Sequence, residues 1–236
     1  MNSNYETWLQ MEKEWIAIYC RKMKKRLFCI TIPSITVLMA VIIGVVAVIG
    51  GNTIQDSLES AAAGGIFGLA ISFWVALFTL LNLRPSKYGK KIEKSVKKLG
   101  LSESEKDELA TEMLEAYARE EKVISYQFST PGQGNSTPAR FVLTPHYCFL
   151  EGSLPYSILV RLSDIRRIRL DEQERVCTKR GSKTKTTYYY TFYCINFYKN
   201  DGEKTPYEVM GFIEPDLRTR VLRLLEEAGI SPEGEA

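Results

Sequence analysis

Residues 27–50 form the sequence LFCITIPSITVLMAVIIGVVAVIG, which contains no Asp, Glu, Lys, Arg or His. A second uncharged segment, AAAGGIFGLAISFWVALFTLLNL, occupies residues 61–83. As helices rising about 1.5 Å per residue, both reach roughly 35 Å, whereas the hydrocarbon core of a bilayer is about 30 Å thick. Both segments exceed the apolar stretch of a signal peptide. The sequence therefore predicts a two-helix transmembrane hairpin over residues 27–83, with spans at 27–50 and 61–83.

Basic residues border this hairpin and are absent from its connecting loop. Residues 1–26 carry six Lys or Arg and residues 84–98 carry seven, whereas residues 51–60 carry none. Positively charged flanks remain on the cytoplasmic side of a membrane. We therefore predict a two-span (multi-pass) protein of the cell membrane with its N- and C-termini in the cytoplasm.

Small residues in the spans indicate close helix packing. Ala40 and Gly44 are four residues apart, as are Gly64 and Gly68. Such pairs let helix backbones approach each other in lipid, either within the hairpin or at the seam of an oligomer. No ionisable residue lies inside either span. A transport path usually contains one, so transport through this hairpin alone is not expected.

The segments on either side of the hairpin are predicted to be helical. Residues 1–26 form an amphipathic basic segment, whose apolar side could lie at the membrane surface or dock on a soluble domain. Residues 84–121 are predicted to be cytosolic linker helices. Ser102 stands three residues before Glu105, the pattern of a capping box, and the helix that follows has one apolar face for packing on the next domain.

From residue 122 the pattern changes to short β segments separated by turn residues. Asn200, Asp201 and Gly202 form the clearest hairpin signal. An amphipathic helix is expected from Pro215 to just before Gly229, with residues 230–236 as a tail. The seven predicted strands are VISYQFS (123–129), ARFVLT (139–144), HYCFLEG (146–152), ILVRL (158–162), IRRIRL (165–170), TYYYTFYCINFY (187–198) and PYEVMGF (206–212). The fold class is thus α+β.

Residues 122–229 resemble the bacterial pleckstrin-homology-like (PH-like) domains. The resemblance rests on the order of elements, on Val142-Leu143-Thr144 before a strand, and on Leu162-Ser163-Asp164-Ile165 opening the next one. It implies a cytosolic PH-like β-barrel or sandwich capped by the C-terminal helix, and a binding or scaffolding module rather than an enzyme. The first β loop, PGQGNSTP, contains no basic residue, which argues against a phosphoinositide pocket.

The most concentrated basic feature of the β domain is RVCTKRGSKTK, predicted to be a hairpin tip. It is either a solvated loop or a contact for anionic lipid headgroups or an acidic partner. Its basic residues are Arg175, Lys179, Arg180, Lys183 and Lys185. Residues 99–236 hold 18 basic and 22 acidic residues, the wrong balance for a nucleic-acid surface.

Catalytic and metal-binding patterns are missing from the sequence. The five cysteines are scattered and His146 is the sole histidine, so no nucleophile–base pair or set of metal ligands is visible. No catalytic or metal residue and no cofactor is predicted. Two functional hypotheses remain. The protein either presents its module to a protein partner or to the inner membrane surface, or is an accessory or regulatory subunit of a larger membrane complex assembled through the hairpin. The expected partners are membrane lipids and a protein partner or a second copy (a homo-oligomer).

Overall fold

The chain folds into two compact units in a computed structural model that describes residues 3–132, 136–152, 157–180 and 184–232. The hairpin unit comprises Lys13–Tyr88. The β unit combines Met1–Glu12 with Gly89–Ala236.

The apolar segments are helical throughout. Helix α1 (Asn4–Arg26) continues through a wider π turn (Leu27–Thr31) into α2 (Ile32–Ile49), and α3 runs from Ile54 to Asn82. Two helices are long and apolar enough to cross a membrane. Their large side chains face outward, as shown by Ile49 and Phe73 at 80% and 64% exposure. A water-soluble core helix would bury such side chains.

Helices α2 and α3 pack through their small residues. A methyl group added to Gly64 or Gly68 would come within 2.9 Å of backbone atoms of α2. One added to Gly44 would lie 3.0 Å from the Cβ of Ala61. Ala40 lies one turn before Gly44, on the same side of α2. These residues thus bring the two helix backbones together within the hairpin.

Seven strands form two antiparallel sheets in the β unit. The first sheet has the order β1-β2-β3-β4, and the second has the order β5-β6-β7. The strands are β1 Val123–Phe128, β2 Thr137–Leu143, β3 Tyr147–Glu151, β4 Ile158–Arg161, β5 Arg167–Arg180, β6 Lys185–Tyr198 and β7 Glu208–Phe212. All seven predicted segments contribute a strand, which confirms the α+β class.

Three details differ from the prediction. The described strands stay in two separate sheets and close no barrel. Strand β5 is 14 residues long because its second half pairs in register with the aromatic strand β6 instead of ending near Leu170. The turn residues Asn200–Gly202 lie inside a longer connection, residues 199–207, between β6 and β7.

One hydrophobic core joins both sheets to the last helix. Helix α6 (Pro215–Glu227) begins with proline in its first turn, where the missing N–H costs no hydrogen bond. After it, Gly229 adopts a φ of +82°, a left-handed conformation that suits glycine. The fully buried members of the core include Phe141, Ile168, Ile195, Phe197, Met210, Phe212, Val221 and Leu225.

Helices α4 (Pro85–Lys98) and α5 (Glu103–Tyr117) precede the sheets. The Ser102 hydroxyl accepts from the Glu105 backbone N–H, and the Glu105 carboxylate accepts from the Ser102 backbone N–H. The predicted capping box is therefore confirmed. The apolar face of α5, including Leu109 and Met113, is buried, and the helix packs on β2.

Candidate functional site

Strands β5 and β6 form a two-stranded ribbon that extends past the rest of their sheet. Strand β7 pairs with β6 only from Tyr193 to Phe197. Residues 173–180 of β5 therefore pair with residues 185–192 of β6 and with no other described strand. At about 3.4 Å per residue, this part is roughly 24 Å long. We call these two segments the ribbon.

The outer face of the ribbon carries an exposed apolar pair. Val176 and Tyr189 are direct cross-strand partners and are 57% and 78% exposed. Thr178 and Thr187 form the next pair on this face toward the tip. Among the described residues of the β unit, Val176 and Tyr189 are the only large hydrophobic side chains with such exposure. The two side chains form a small apolar surface on the outer face of the ribbon.

The opposite face of the ribbon packs inward. Gly132 has a φ of +77°, and a Cβ there would collide with the ring of Tyr188. The Arg175 guanidinium stacks over the Phe192 ring at 4.2 Å and donates to Gln173 at 3.0 Å. The approach of Gly132 to Tyr188 links the ribbon to the rest of the β unit, whereas the contacts of Arg175 lie within the ribbon itself.

A cavity of about 290 Å³ opens beside the base of the ribbon, between the two sheets. Its walls are mostly apolar and its charged members are Arg175 and Glu208. The apolar wall includes Leu150, Ile158, Phe192, Val209 and Gly211.

The structure brings together only some of the predicted basic residues. Lys179 and Lys185 are exposed at the distal end of the ribbon, and Arg180 is the register partner of Lys185. Arg175 lies near the base, four residues from Lys179, and Lys183 lies outside the described residues. The distal basic residues lie on paired strands rather than on the loop expected from sequence.

A buried ion cluster joins the N-terminal segment to the first sheet. Arg140 and Glu151 are cross-strand partners on β2 and β3 and form an ion pair through the guanidinium Nε. Arg140 Nη2 also donates to Glu12 Oε2 at 2.6 Å. Both carboxylate side chains are fully buried, and that of Arg140 is 10% exposed.

The remaining contacts of Glu12 are also buried. Trp8 Nε1 donates to Glu12 Oε1 at 2.8 Å, and the Tyr117 hydroxyl donates to the same oxygen at 2.5 Å. Burial raises the pKa of Glu12, and Arg140 and Tyr117 offset this by stabilising the carboxylate. Burial beside Glu12 also raises the pKa of Tyr117, which keeps the phenol a donor. The Trp8 ring meets Phe149 of β3 at 5.8 Å.

The sequence left open whether the N-terminal helix lies at the membrane surface or docks on a soluble domain. For the first turns of the helix, these contacts show docking. Residues 4–12 dock on the first sheet, with Trp8 fully buried and Leu9 nearly so. Helix α4 follows the hairpin in the sequence, and its C-terminal end also contacts the β sheets. Ser95 Oγ donates to the Ser157 carbonyl of the β3–β4 connection at 2.7 Å, and Lys98 pairs with Glu208 of β7.

The single histidine belongs to a charged pair near a small cleft. His146 Nδ1 lies 2.5 Å from Glu112 Oε1, and the backbone N–H of His146 donates to the other oxygen of Glu112. This hydrogen bond and the negative charge raise the pKa of His146. Together with Glu108, these two side chains place three possible metal-ligand atoms within 4.8 Å of one another. Because Glu112 already binds His146 twice, the arrangement is that of a pair closing the β2–β3 turn.

The adjoining cleft has a volume of about 240 Å³ between α5, the β2–β3 turn and the end of α6. Charges of both signs line it, among them Glu115, Arg119, Lys122 and Glu227.

Comparisons of the chain with protein-family models, with curated proteins and with solved structures found no match.

Sequence reasoning missed both the ion cluster and the Val176–Tyr189 pair. The ion cluster had a weak signal in the sequence. Glu12 stands four residues after Trp8 and thus interrupts an apolar helix stripe, and Arg140 interrupts the apolar strand ARFVL. A charged residue at an apolar position is typical of a buried ion pair. The exposed pair needed the register of β5 against β6, which the sequence does not specify.

Proposed function

We propose that this protein is an integral membrane protein that presents a cytosolic PH-like module to a protein partner or to the inner membrane surface. The helices α2 and α3 are its two spans, and both termini lie in the cytoplasm. Lys and Arg on the outer flanks of the hairpin, with none in its loop, support this orientation. The order of four strands, three strands and a final helix is compatible with a PH-like fold.

The ribbon is the observation that carries this proposal. It projects beyond the second sheet, exposes Val176 and Tyr189, and ends in basic residues. None of the described ribbon residues belongs to the buried hydrophobic core of the β unit. A surface of this kind is suited to contact with another molecule.

Thiol labelling tests the orientation. Cys177 lies on the ribbon and is partly exposed, whereas Cys148 and Cys194 are buried and burial raises the pKa of both thiols. A membrane-impermeant maleimide should label Cys177 in inside-out vesicles and not in intact cells. Loss of that label in Cys177→Ser identifies the site. Labelling of Cys177 in intact cells would overturn the proposal.

Photo-crosslinking tests the binding role in the living cell. A benzophenone amino acid at Thr187, on the outer face of the ribbon, should form adducts, whereas one at exposed Asp201 should not. A small increase in mass indicates lipid and a large one indicates protein. The absence of adducts at Thr187 would contradict a binding module that uses the ribbon.

The alternative is an accessory or regulatory subunit of a larger membrane complex joined through the hairpin. Its support is weaker, because Gly64 and Gly68 already serve the contact between α2 and α3. Co-purification in mild detergent separates the two functions. A stoichiometric membrane partner that co-purifies with the full chain would favour the alternative.

A further inference from the structure

We infer that Glu108, Glu112 and His146 form a binding site for a divalent transition-metal ion, and that Zn²⁺ is the ion that suits these ligands. Glu108 and Glu112 lie on α5, and His146 lies in the β2–β3 turn, so the bound metal would join the linker helix to the first sheet. The site is independent of the proposed function, because neither the ribbon nor the orientation of the hairpin contributes to it.

The possible ligand atoms already lie close together. One donor atom from each of the three side chains lies within 4.8 Å of the other two. Zinc binds imidazole nitrogen and carboxylate oxygen at about 2.0–2.2 Å, so two ligands of a tetrahedral ion lie roughly 3.3 Å apart. His146 Nδ1 and Glu112 Oε1 are 2.5 Å apart and would separate by about 0.8 Å to admit the ion. Glu108 is exposed, so its side chain is free to rotate toward the ion.

Glu108 is the member of this cluster that the pair of His146 and Glu112 does not explain. Among the described residues its carboxylate has no hydrogen-bond or ion-pair partner. It lies one helical turn from Glu112, where two like charges are unfavourable. With a neutral imidazole the three groups carry two negative charges. A divalent cation would neutralise both carboxylates, whereas a proton on His146 neutralises only one.

The two glutamates lie on a helix that is held in place by its buried side. They are four residues apart and therefore lie on the same side of α5. The residue after each of them, Leu109 and Met113 respectively, is fully buried, and α5 packs on β2. Ligands on a packed helix keep their spacing, which favours metal binding over ligands on a free loop.

The turn that carries His146 is fixed by hydrogen bonds on both sides of this residue. The Thr144 N–H donates to the Tyr147 carbonyl at 2.8 Å, and the Thr144 hydroxyl accepts from the Tyr147 N–H at 2.9 Å. The His146 carbonyl accepts from the Leu162 N–H at 2.8 Å. The His146 N–H donates to Glu112 Oε2 at 3.2 Å. Hydrogen bonds of this last kind orient metal-binding carboxylates, and this one leaves Oε1 for the ion.

The metal would take the place of the proton between His146 Nδ1 and Glu112 Oε1. Starting from the imidazolium, the Nδ1 proton goes to solvent, Nε2 keeps its hydrogen, and the Nδ1 lone pair binds the ion. Glu108 supplies the third protein ligand, and water completes a four-coordinate shell. One imidazole and two carboxylates suit zinc better than Mg²⁺, which prefers an octahedral shell of oxygen atoms.

Nitrogen NMR of the sole histidine tests the site in the full chain. The untagged protein, labelled with ¹⁵N-histidine, is titrated in detergent with Zn²⁺ or Mg²⁺ at about pH 8, where protons compete less with the metal. Cys29→Ser and Cys177→Ser remove the two thiols that are not buried. Glu108→Gln removes the third ligand. Glu115→Gln is the matched control, because it removes the same charge from an exposed position of the same helix.

Zn²⁺ should shift the Nδ1 resonance, leave Nε2 protonated and saturate at one ion per chain. Mg²⁺ at the same concentrations should shift neither nitrogen. Glu108→Gln should weaken zinc binding by about 10- to 100-fold or more, since the loss of even an outer hydrogen-bond partner of a ligand has an effect of this size. Glu115→Gln should bind zinc as tightly as the parent chain.

Four results would overturn the inference. The absence of a saturable shift would exclude the site. A zinc-induced shift at Nε2 in place of Nδ1 would indicate an ordinary exposed imidazole. Equal affinity in Glu108→Gln and the parent chain would exclude Glu108 as a ligand, and equal weakening in Glu108→Gln and Glu115→Gln would indicate only the general negative charge of α5. The proposed function fails separately, if Cys177 is labelled from outside the cell or if Thr187 forms no photo-adducts.

Discussion

Arg140 Nη2 lies 2.6 Å from Glu12 Oε2, although 128 positions separate the two residues in the sequence. Glu12 ends the N-terminal segment of the β unit, and Arg140 lies on a strand of the first sheet. The cluster around them therefore fastens residues 4–12 to the first β sheet.

Arg140→Met should destabilise the β unit by about 3–5 kcal/mol, because it leaves the buried carboxylates of Glu12 and Glu151 without their shared guanidinium. Thermal and denaturant unfolding of the full chain in detergent, followed by fluorescence of Trp8 and the other tryptophans, measures the change. Glu6→Gln is the control, since Glu6 lies on the same helix and is exposed. Equal unfolding free energies for both variants would show that the cluster does not hold the segment.

The sequence predicted the elements of this protein better than their long-range contacts. Helix α5 and its capping box depend on residues three positions apart, and strands β1 to β4 on short β segments bounded by turn residues. Such signals lie within one stretch of chain. The contact between Glu12 and Arg140 depends on how distant elements pack, which no local pattern encodes.

The ribbon shows the same limit in a different way. Residues 175–180 contain three basic residues, which indicated a solvated tip. They form strand because Val176, Cys177 and Thr178 pair with Tyr189, Tyr188 and Thr187, and cross-strand pairs stabilise a strand beyond its intrinsic preference. Cross-strand pairing therefore determined the conformation of this segment more than its charge did. It also placed the basic residues in a defined register with β6.

Alanine substitutions should separate three neighbouring glycines of α3. Gly64→Ala and Gly68→Ala should each destabilise the helix pair by about 1–3 kcal/mol, because the new methyl groups overlap α2. Gly65→Ala should be tolerated, since its Cβ would meet only Ala40 at an ordinary 3.8 Å. Resistance of the hairpin to SDS-induced unfolding measures the difference. Equal resistance of all three variants would contradict the packing of α3 on α2.

The pKa of His146 should lie above its usual 6.5, because Glu112 accepts from the ring and stabilises the imidazolium. Glu112→Gln should lower it toward 6.5. The pairing stabilises the folded state fully below pH 6.5 and loses this effect as the pH rises through the folded pKa. Since His146 is the sole histidine, a ¹³C imidazole titration by NMR reports on it directly. An unchanged titration in Glu112→Gln would show that the pair does not form.

Gly132→Ala should loosen the ribbon without unfolding the core of the β unit. An added Cβ would strike the Tyr188 ring, and a φ of +77° is itself unfavourable for alanine. Since Tyr188 anchors the inner face of an otherwise two-stranded ribbon, hydrogen exchange should accelerate in residues 173–180 and 185–192, with little change in β2 and β3. Gly202→Ala is the matched control, because a Cβ there meets nothing within 4 Å and its φ is not left-handed. Exchange that accelerates equally in both variants, or in neither, would mean that the Tyr188–Gly132 contact does not position the ribbon. The outer face of the ribbon would then need another support, because two strands alone do not hold Val176 and Tyr189 in a fixed orientation.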